Sequence, residues 1–397
     1  MADGTAYGVF NQLLIMKILY VAPHYEPAFE MGGVVRTLSQ LCRGMAELGH
    51  DVTVFTTNNN RLGKDICFPS NREVIIGGVK VWYFATKFFK KSFFYSPDLG
   101  KACQRRIRDF DILHLSSLWC YPGIPFGNAA RQYQIPYVMS PHGSLDPRSL
   151  AKGWLKKRVF MRFFDKKNLN LSSAIHYTSE LERNRSHGYN KLKSPSFVVP
   201  NPVDLDGLAT PLTKEKAREY LNLPKNAFVI SFIGRLNRIK ALDILVYSFK
   251  RVLKELDNCY LIIGGPDDGF EANLRRIVAG LHLIDRAKIL GALNQRTKNI
   301  VIKSSDLLWL ASYEENFGHA AVEAMAAGVP VIVSKNVGIS PDILEHKAGV
   351  IVDHVPNSAA NIIVGVLRDK LRREKMAINA KNCANNYARE RVVPLMA

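Results

Sequence analysis

Several features that mark large protein classes are missing from this chain of 397 residues. Its six cysteines never occur with C-x-x-C spacing, which argues against a zinc or disulfide scaffold and for reduced thiols in a cytosol. No apolar run reaches the roughly 18 residues of a membrane span. The N-terminus has an apolar patch but no basic segment of the kind found in secretory signals. We therefore predict that residues 1–15 are an extension before the first strand and that the protein is cytoplasmic.

Acidic residues are scarce. The chain has 35 Asp and Glu against 54 Lys and Arg, which gives a formal net charge of +19. Such an excess favours anionic partners, which include nucleic acids, anionic lipids and phosphorylated ligands. Because the sequence contains no zinc finger, RNP-type motif or long basic tail, we do not expect a nucleic-acid partner.

Part of the positive charge is clustered between Leu150 and Lys167, which we call the basic segment. Its sequence, LAKGWLKKRVFMRFFDKK, mixes aromatic side chains with lysine and arginine. One interpretation is a basic amphipathic helix at the surface of an anionic membrane. The other is an ordinary helix with a buried aromatic face and a solvated basic face. The sequence leaves both interpretations open.

Apolar runs and amphipathic stretches alternate along the chain in two similar halves. In the first half, the strand MKILYVAPH is followed by a loop with Gly32 and Gly33, an amphipathic helix and the strand HDVTVFTTN. The segment FVVPNPVDLD interrupts this pattern, and the second half begins with the strand FVISFIGRL. Such alternation predicts parallel sheets covered on both faces. We therefore predict an α/β fold with two doubly wound, Rossmann-like domains, residues 16–201 and 202–375, facing each other across a ligand-binding cleft.

The stretch YEENFGHAAVEAMAAGVPVIVS, from Tyr313 to Ser334, carries Glu315 and Glu323. Eight helical steps would leave them about 80° apart, so a surface pair on one helical face is a poor explanation. Because a buried strand, DLLWLAS, comes just before, Glu315 is expected in the loop at its carboxyl end and Glu323 inside the next helix. Gly318 permits close approach of a phosphate to the helix N-terminus, and the carboxylates can accept hydrogen bonds from sugar hydroxyls. The pattern predicts a nucleotide-sugar site.

Two cations occupy the first strand-to-helix turn of the second half. Arg235 follows the strand, and Lys240 lies five residues later at the start of the next helix. Together they can bind a diphosphate and stabilise it as a leaving group. The alternative is that both are ordinary surface charges. No Asp-x-Asp run lies in a suitable loop, so we predict neither a metal nor another cofactor.

The segments GRLNRIK, EENFGHAAVEAMAAGVPVI and GGVVRTLSQLCRGMAELGHDVTVFTT resemble glycosyltransferase family 4, retaining nucleotide-sugar transferases with the GT-B fold. The resemblance extends from Met16 to about Asp369. The segments DFDILHLSSLW, PHGSLDPRSL, HYTSELE and VPNPVD are similar to the branch that makes exopolysaccharides and other cell-surface glycans. One departure is Ala241, where the family usually has glycine. We expect residues 376–397 to form a C-terminal helical segment that crosses back to the N-terminal domain.

The resemblance implies a role for each candidate site residue. Glu315 would lie beside the transferred sugar, Glu323 would bind the ribose, and Arg235 and Lys240 would bind the diphosphate. The remaining contacts would come from the backbone N–H groups of Phe317 and Gly318, the closing loop of Gly32 and Gly33, and His142 near the donor sugar.

The other histidines have simpler interpretations. His142 itself can be read as a turn residue, because it follows a strand end in SPHG. His114 and His176 lie inside strand patterns and are predicted to be packed in the interior.

The implied function is transfer of a hexose, with retention, from a nucleotide-diphosphate sugar to a glycan, lipid-linked or small-molecule acceptor in surface polysaccharide synthesis. The resemblance implies front-side displacement, in which the leaving phosphate oxygen accepts the acceptor's proton. The enzyme would need no metal and would lie peripherally on the cytoplasmic face of an anionic membrane.

Three alternatives remain open at this point. The chain could be a catalytically inactive GT-B nucleotide-binding subunit, a dinucleotide-dependent oxidoreductase, or a hydrolase or epimerase on the same fold. The oxidoreductase is disfavoured because APHYEPAFEMGG, and not G-x-G-x-x-G, follows the first strand.

Overall fold

Two separate sheets organise the chain in the computed structural model, which describes residues 14–59, 68–87, 93–151, 153–208 and 212–397. The predicted extension at residues 1–15 lies almost wholly outside the described residues. The first sheet contains β1 (Lys17–Val21), β2 (Asp51–Thr57), β3 (Glu73–Ile76), β4 (Val79–Phe84), β5 (Ile112–Ser116), β6 (Tyr137–Ser140), β7 (Ala174–Tyr177) and β8 (Ser196–Val198). The second contains β9 (Phe228–Ile233), β10 (Cys259–Gly264), β11 (Ala287–Ile289), β12 (Leu307–Leu310), β13 (Val331–Val333) and β14 (Gly349–Ile351).

Helices connect most of these strands. Those of the first half are α1 (Gly33–Glu47), α2 (Pro97–Arg106), α3 (Gly123–Gln132), α4 (Pro147–Ala151), α5 (Trp154–Phe160), α6 (Lys166–Asn170) and α7 (Glu180–Ser186). Those that follow are α8 (Lys214–Tyr220), α9 (Leu242–Glu255), α10 (Glu271–Gly280), α11 (Gln295–Ser304), α12 (His319–Ala326), α13 (Ser340–Glu345), α14 (Pro356–Arg368), α15 (Lys370–Ala384) and α16 (Arg389–Val392).

The strand order shows where each sheet can hold a ligand. The second sheet is all parallel in the order β11-β10-β9-β12-β13-β14. This is the doubly wound arrangement, in which the first strands are added on one side of β9 and the later ones, from β12 onward, on its other side. The first has the order β3-β4-β2-β1-β5-β6-β7-β8, parallel except where β3 pairs with β4. In this sheet the reversal of the strand order lies between β1 and β5. The predicted α/β fold with two Rossmann-like halves is confirmed.

The apolar clusters show how the parallel strands of both sheets are covered. Successive residues of β1 alternate between two apolar clusters, with Leu19 and Val21 in one and Ile18 and Tyr20 in the other. Both faces of the first sheet are therefore covered. The second half has one continuous cluster that includes the fully buried Trp309 of β12. Parallel strands buried on both faces read as continuous apolar runs, which is the pattern that the sequence shows.

The end of the chain contacts the first half. Arg389 pairs with Glu47 of α1 across 3.2 Å, and Val393 belongs to the cluster that covers one face of the first sheet. A methyl group added at Gly44 of α1 would lie 2.5 Å from a methyl carbon of Val393, so this packing is tight.

The basic segment is not the single regular helix that either interpretation assumes. It is divided into α4, α5, a π-helical turn at Met161–Asp165, and α6. Trp154, Phe163 and Phe164 are 57%, 66% and 40% exposed, while Phe160 is partly buried. The interpretation with a buried aromatic face is therefore wrong for three of the four aromatic residues. Within the described ranges, none of the helices combines the length and apolar character needed to cross a bilayer.

Candidate active site

A cavity of about 410 Å³ lies between the two halves and is lined by residues of both. It opens where β9 and β12 end, at the reversal of the second sheet, which is where ligands bind in sheets of this kind. Six of the nine predicted site residues line it, and three do not. The six are Gly32, Gly33, Arg235, Lys240, Glu315 and Glu323, and the three are His142, Phe317 and Gly318.

Glu315 and Lys240 form an ion pair inside this cavity. Glu315 follows β12 in a loop that Val337 steadies through a backbone bridge, and the Nζ of Lys240 donates to its Oε2. The two side chains are 19% and 14% exposed. Lys240 ends a short 3₁₀ turn, after which Ala241 adopts a left-handed conformation at φ 51° before α9 begins. Glycine favours that conformation, but Ala241 adopts it as well, so its departure from the family pattern leaves Lys240 in position.

Glu323 has a partner that the sequence did not suggest. It lies on α12 and accepts a hydrogen bond at Oε1 from the Nζ of Lys298, across 2.5 Å. Lys298 shares a face of α11 with the buried Val301 and Ile302, three and four positions further on. A charged residue on an apolar helix face was therefore the signal that could have identified it, because such a residue needs a partner in the interior.

Arg235 is the most exposed of the predicted cations. Its side chain is 48% exposed and donates to Asp268 across 3.1 Å. Asp268 also accepts a hydrogen bond from Asn237 at 2.9 Å. The guanidinium has five N–H donors, so the contact with Asp268 leaves donors that can reach an anionic ligand in the cavity.

The start of α12 brings the two halves into contact. Gly318 precedes the helix with φ 112°, and an added methyl group there would lie 3.0 Å from Val337. Phe317 is buried. The next residue, His319, shares hydrogen bonds with Thr37 of α1 at 2.9 Å and with Asn201 at 3.3 Å. Burial lowers the pKa of His319 to about 4, so it is neutral at pH 7.

The glycine loop of the first half faces this histidine. Gly32 has φ 112°, and α1 begins at Gly33. A methyl group added at Gly33 would lie 2.8 Å from the ring of His319. Only glycine permits this approach between the halves without a shift of one of them. His319 was not among the predicted site residues, because nothing in the local sequence shows that α1 and α12 meet.

His142 lies beside the cavity and not in its lining. It follows β6 with φ 48° and shares a hydrogen bond of 2.8 Å with Ser116 at the end of β5. Burial, with a contribution from His176 and His319, lowers its pKa to about 3. It is therefore neutral and can exchange hydrogen bonds with a sugar hydroxyl but not supply a proton at neutral pH. His114 and His176 are buried in the first sheet, where Ser140 bridges them.

No group of three or more His, Cys, Asp or Glu side chains in the described ranges is placed to hold a metal ion. Arg235 and Lys240 supply positive charge to the cavity between the halves. Metal independence stays a prediction that chelation can test.

Two family models match the chain. The model "Glycosyltransferase Family 4" matches residues 31–206, and the model "Glycosyl transferases group 1" matches residues 213–383. The D-inositol 3-phosphate glycosyltransferase of Kineococcus radiotolerans is 25% identical, over 95% of this chain and 92% of that protein. The D-inositol 3-phosphate glycosyltransferase of Salinispora tropica is 31% identical over 45% of this chain. The match spans only 39% of the length of that relative.

Solved structures share the fold over nearly the whole chain. Anabaena Alr3699/HepE, solved in complex with UDP-glucose, has a TM-score of 0.76 and 19% identity, covering 96% of this chain and 98% of that one. Sucrose-phosphate synthase from Thermosynechococcus elongatus has a TM-score of 0.73 and 20% identity, covering 96% of both chains. Because the two family models between them match both halves and the fold agrees throughout, the chain belongs to glycosyltransferase family 4 and has the GT-B fold.

Proposed function

We propose that this protein is a retaining hexosyltransferase that uses a nucleoside diphosphate sugar. The observation that carries the proposal is the cavity between the halves, which Lys240 and Arg235 line together with Glu315 and Glu323. Cations that can bind a diphosphate and carboxylates that can accept hydrogen bonds from sugar hydroxyls occur together in this cavity. It therefore fits a nucleoside diphosphate sugar better than a free diphosphate or a free sugar.

The cations can serve the diphosphate without releasing their present partners. The ammonium of Lys240 has three donors, so it can hold Glu315 and a phosphate oxygen together. Arg235 retains donors beyond its contact with Asp268. Positive charge held at the leaving group stabilises the negative charge that develops as the glycosidic phosphate bond breaks.

The carboxylates suit the two sugars of the donor. Lys298 engages Oε1 of Glu323, which leaves Oε2 to accept a hydrogen bond from a ribose hydroxyl. Glu315 lies in a loop that contacts the first half, where its neighbour Glu314 accepts a hydrogen bond from Ser149. That position suits the transferred hexose, since the acceptor would enter from the first half.

The proposed reaction proceeds on one face of the sugar. The acceptor oxygen forms a bond to the anomeric carbon as the bond from that carbon to the phosphate oxygen breaks, and the acceptor's proton moves to the departing phosphate oxygen. Retention of configuration follows. Because the departing phosphate oxygen takes the acceptor's proton, the step requires no protein base. His142 is neutral at pH 7 and would position a sugar hydroxyl.

The comparisons suggest the donor to test first. Anabaena Alr3699/HepE is described in complex with UDP-glucose, and the curated relatives are named D-inositol 3-phosphate glycosyltransferases. We propose a UDP-hexose as donor and a glycan, lipid-linked or small-molecule acceptor, with a role in surface polysaccharide synthesis.

The basic segment supports a membrane-associated acceptor. Its exposed Trp154, Phe163 and Phe164 lie among lysine and arginine side chains, so aromatic groups are available to enter the interface and cations to contact anionic lipids. We propose that the protein binds reversibly to the cytoplasmic face of an anionic membrane, with the first half towards the lipid.

A thermal-shift screen tests the donor proposal. UDP, UDP-glucose and the corresponding adenine and guanine nucleotides are compared at equal concentration, and stabilisation should be selective for one nucleotide. Anomeric NMR of the product from that donor then tests retention. If none of the nucleotides stabilises the protein, the donor proposal is refuted. A product with inverted anomeric configuration would refute the mechanism.

A further inference from the structure

A second cavity, of about 660 Å³, lies along the basic segment, which follows β6 and precedes β7 in the chain. It shares no lining residue with the cavity between the halves. Five cations line it, and none of the described residues in its lining is acidic. They are Lys157, Arg158, Arg162, Lys166 and Lys167. Like charges in one cavity repel one another, so this arrangement needs a physical reason.

The π-helical turn at Met161–Asp165 brings these cations to one side. A π turn contains one more residue than an α turn, so the residues after it are rotated back by roughly 100°. In a regular helix Lys167 would point about 180° away from Arg158. With the turn, Arg158 of α5 and both Lys166 and Lys167 of α6 line the same cavity. Turns of this kind frequently mark functional sites.

The same turn removes the one acidic residue from the cavity. Asp165 is the sole acid between Pro147 and Asn170, and its carboxylate is buried where it accepts the backbone N–H of Trp119 at 3.0 Å. Burial also raises the pKa of Asp165 to about 7, so this carboxyl carries only part of a negative charge at neutral pH and lies outside the lining of the cavity. The cavity is left with a net positive lining.

We propose that this cavity binds the phosphate or diphosphate group of an anionic ligand. Arginine pairs with phosphate in a bidentate manner, and lysine adds point charges, so the lining is suited to phosphoryl oxygens. The volume lies within the range of ligand sites and exceeds what one phosphate needs. Trp154 and Tyr189, 57% and 63% exposed, add aromatic surface for the group that the phosphate carries.

The cavity adjoins the loop that carries Glu315. Its wall includes Leu150 of α4, and the preceding residue Ser149 donates to Glu314 across 2.5 Å. Arg148 of α4 donates to the carbonyl of Tyr313 across 2.6 Å. The ligand would therefore lie on the acceptor side of the transferase. This step rests on the proposed function, because it takes that loop as part of the donor site.

Calorimetric titration of inorganic pyrophosphate into the full chain tests the site. Wild type should bind two equivalents, one in each cavity. The variant Arg158→Gln/Arg162→Gln should lose one of these two equivalents, because the affinity of this cavity for pyrophosphate falls at least tenfold. Lys156→Gln is the matched control, because this exposed neighbour carries the same charge but does not line the cavity. It should keep both equivalents.

Two further variants separate the possible failures. Lys166→Gln/Lys167→Gln repeats the test from α6 and should lose the same equivalent. Arg235→Ala/Lys240→Ala should lose the other one, and its failure to do so would count against the proposed donor site alone. If both cavity variants bind two equivalents as Lys156→Gln does, the proposed anion site is refuted.

The source of the phosphate is distinguished by a vesicle assay. A lipid headgroup predicts stronger binding to vesicles with phosphatidic acid than to phosphatidylglycerol vesicles of equal surface charge, with the preference lost in the cavity variants. A soluble ligand predicts no such preference and direct binding of glycerol 3-phosphate that the same variants abolish. Equal behaviour of cavity variants and Lys156→Gln in every arm would overturn the proposal.

Discussion

Substitution of the buried pair formed by Lys298 and Glu323 should reveal how the donor site is held together. We expect Lys298→Met to lower the free energy of unfolding at pH 7 by about 3–5 kcal/mol, because a buried carboxylate loses its cation. The two side chains are only 9% and 12% exposed, so water compensates little. The loss of stability is limited because Glu323 can take up a proton once Lys298 is replaced. Protonating an ordinary glutamate at pH 7 costs roughly 3.7 kcal/mol, from about 2.7 pH units at about 1.36 kcal/mol each.

The pH dependence of this variant follows from that proton. An unpaired buried carboxylate binds a proton more readily in the folded protein than in the unfolded chain, so low pH favours folding. The deficit of Lys298→Met relative to wild type should therefore shrink by roughly 1.4 kcal/mol per unit as the pH falls from 7 to 5. Urea unfolding followed by circular dichroism at pH 5, 6 and 7 measures it.

The double variant Lys298→Met/Glu323→Gln is the matched control. It removes both charges, so it should be less destabilised than Lys298→Met alone and should show little of that pH dependence. Glu323→Ala should weaken binding of the donor about tenfold or more, and it should also lose stability because Lys298 is left unpaired. If wild type and all three variants unfold at the same urea concentration at every pH, the reasoning about this pair is wrong.

Four other results are expected. Lys240→Ala should weaken donor binding in calorimetry about tenfold or more, since charge-assisted contacts contribute about 1.5–3 kcal/mol, whereas Lys254→Ala, an exposed residue of α9, should not. Equal affinities would contradict the diphosphate role. Gly33→Ala should lower kcat in a transfer assay by displacing His319, while Gly280→Ala, where an added methyl group meets nothing, should leave it unchanged. Turnover should survive EDTA, and a complete loss restored by manganese or magnesium would show metal dependence. In flotation assays the protein should bind anionic but not zwitterionic vesicles, lose them at high salt, and bind less after replacement of residues 156–158 by glutamate. Failure to bind either vesicle type at low salt would refute membrane association.

The architecture was predictable because its signals are local. Continuous apolar runs such as that around Leu19, alternating with amphipathic stretches such as α1, are what a parallel sheet covered on both faces requires. Most candidate residues also follow a strand or lie at the start of a helix, and Glu323 lies inside the helix that comes next. Since ligands bind at the carboxyl ends of parallel strands, Lys240 and Glu315 could be assigned to one cleft before any contact between them was known.

The partners of these residues could not be predicted in the same way. Lys298 and Glu323 are 25 positions apart on different helices, and Thr37 meets His319 across 282 positions. Such contacts depend on how two sheets and their helices are oriented, which no periodicity within a segment encodes. The left-handed conformation of Ala241 is likewise imposed by the turn that it occupies.

The basic segment shows most clearly what the sequence determines and what only the tertiary structure decides. Its sequence determined the charge, the aromatic content and the position between two strands of the first half. Only the tertiary structure shows that a π-helical turn interrupts it and that Asp165 is buried there, where it accepts the backbone N–H of Trp119. Sequence by itself specifies which side chains are available and the period with which they recur. Which of them share a cavity is decided by packing between segments that are distant in the chain.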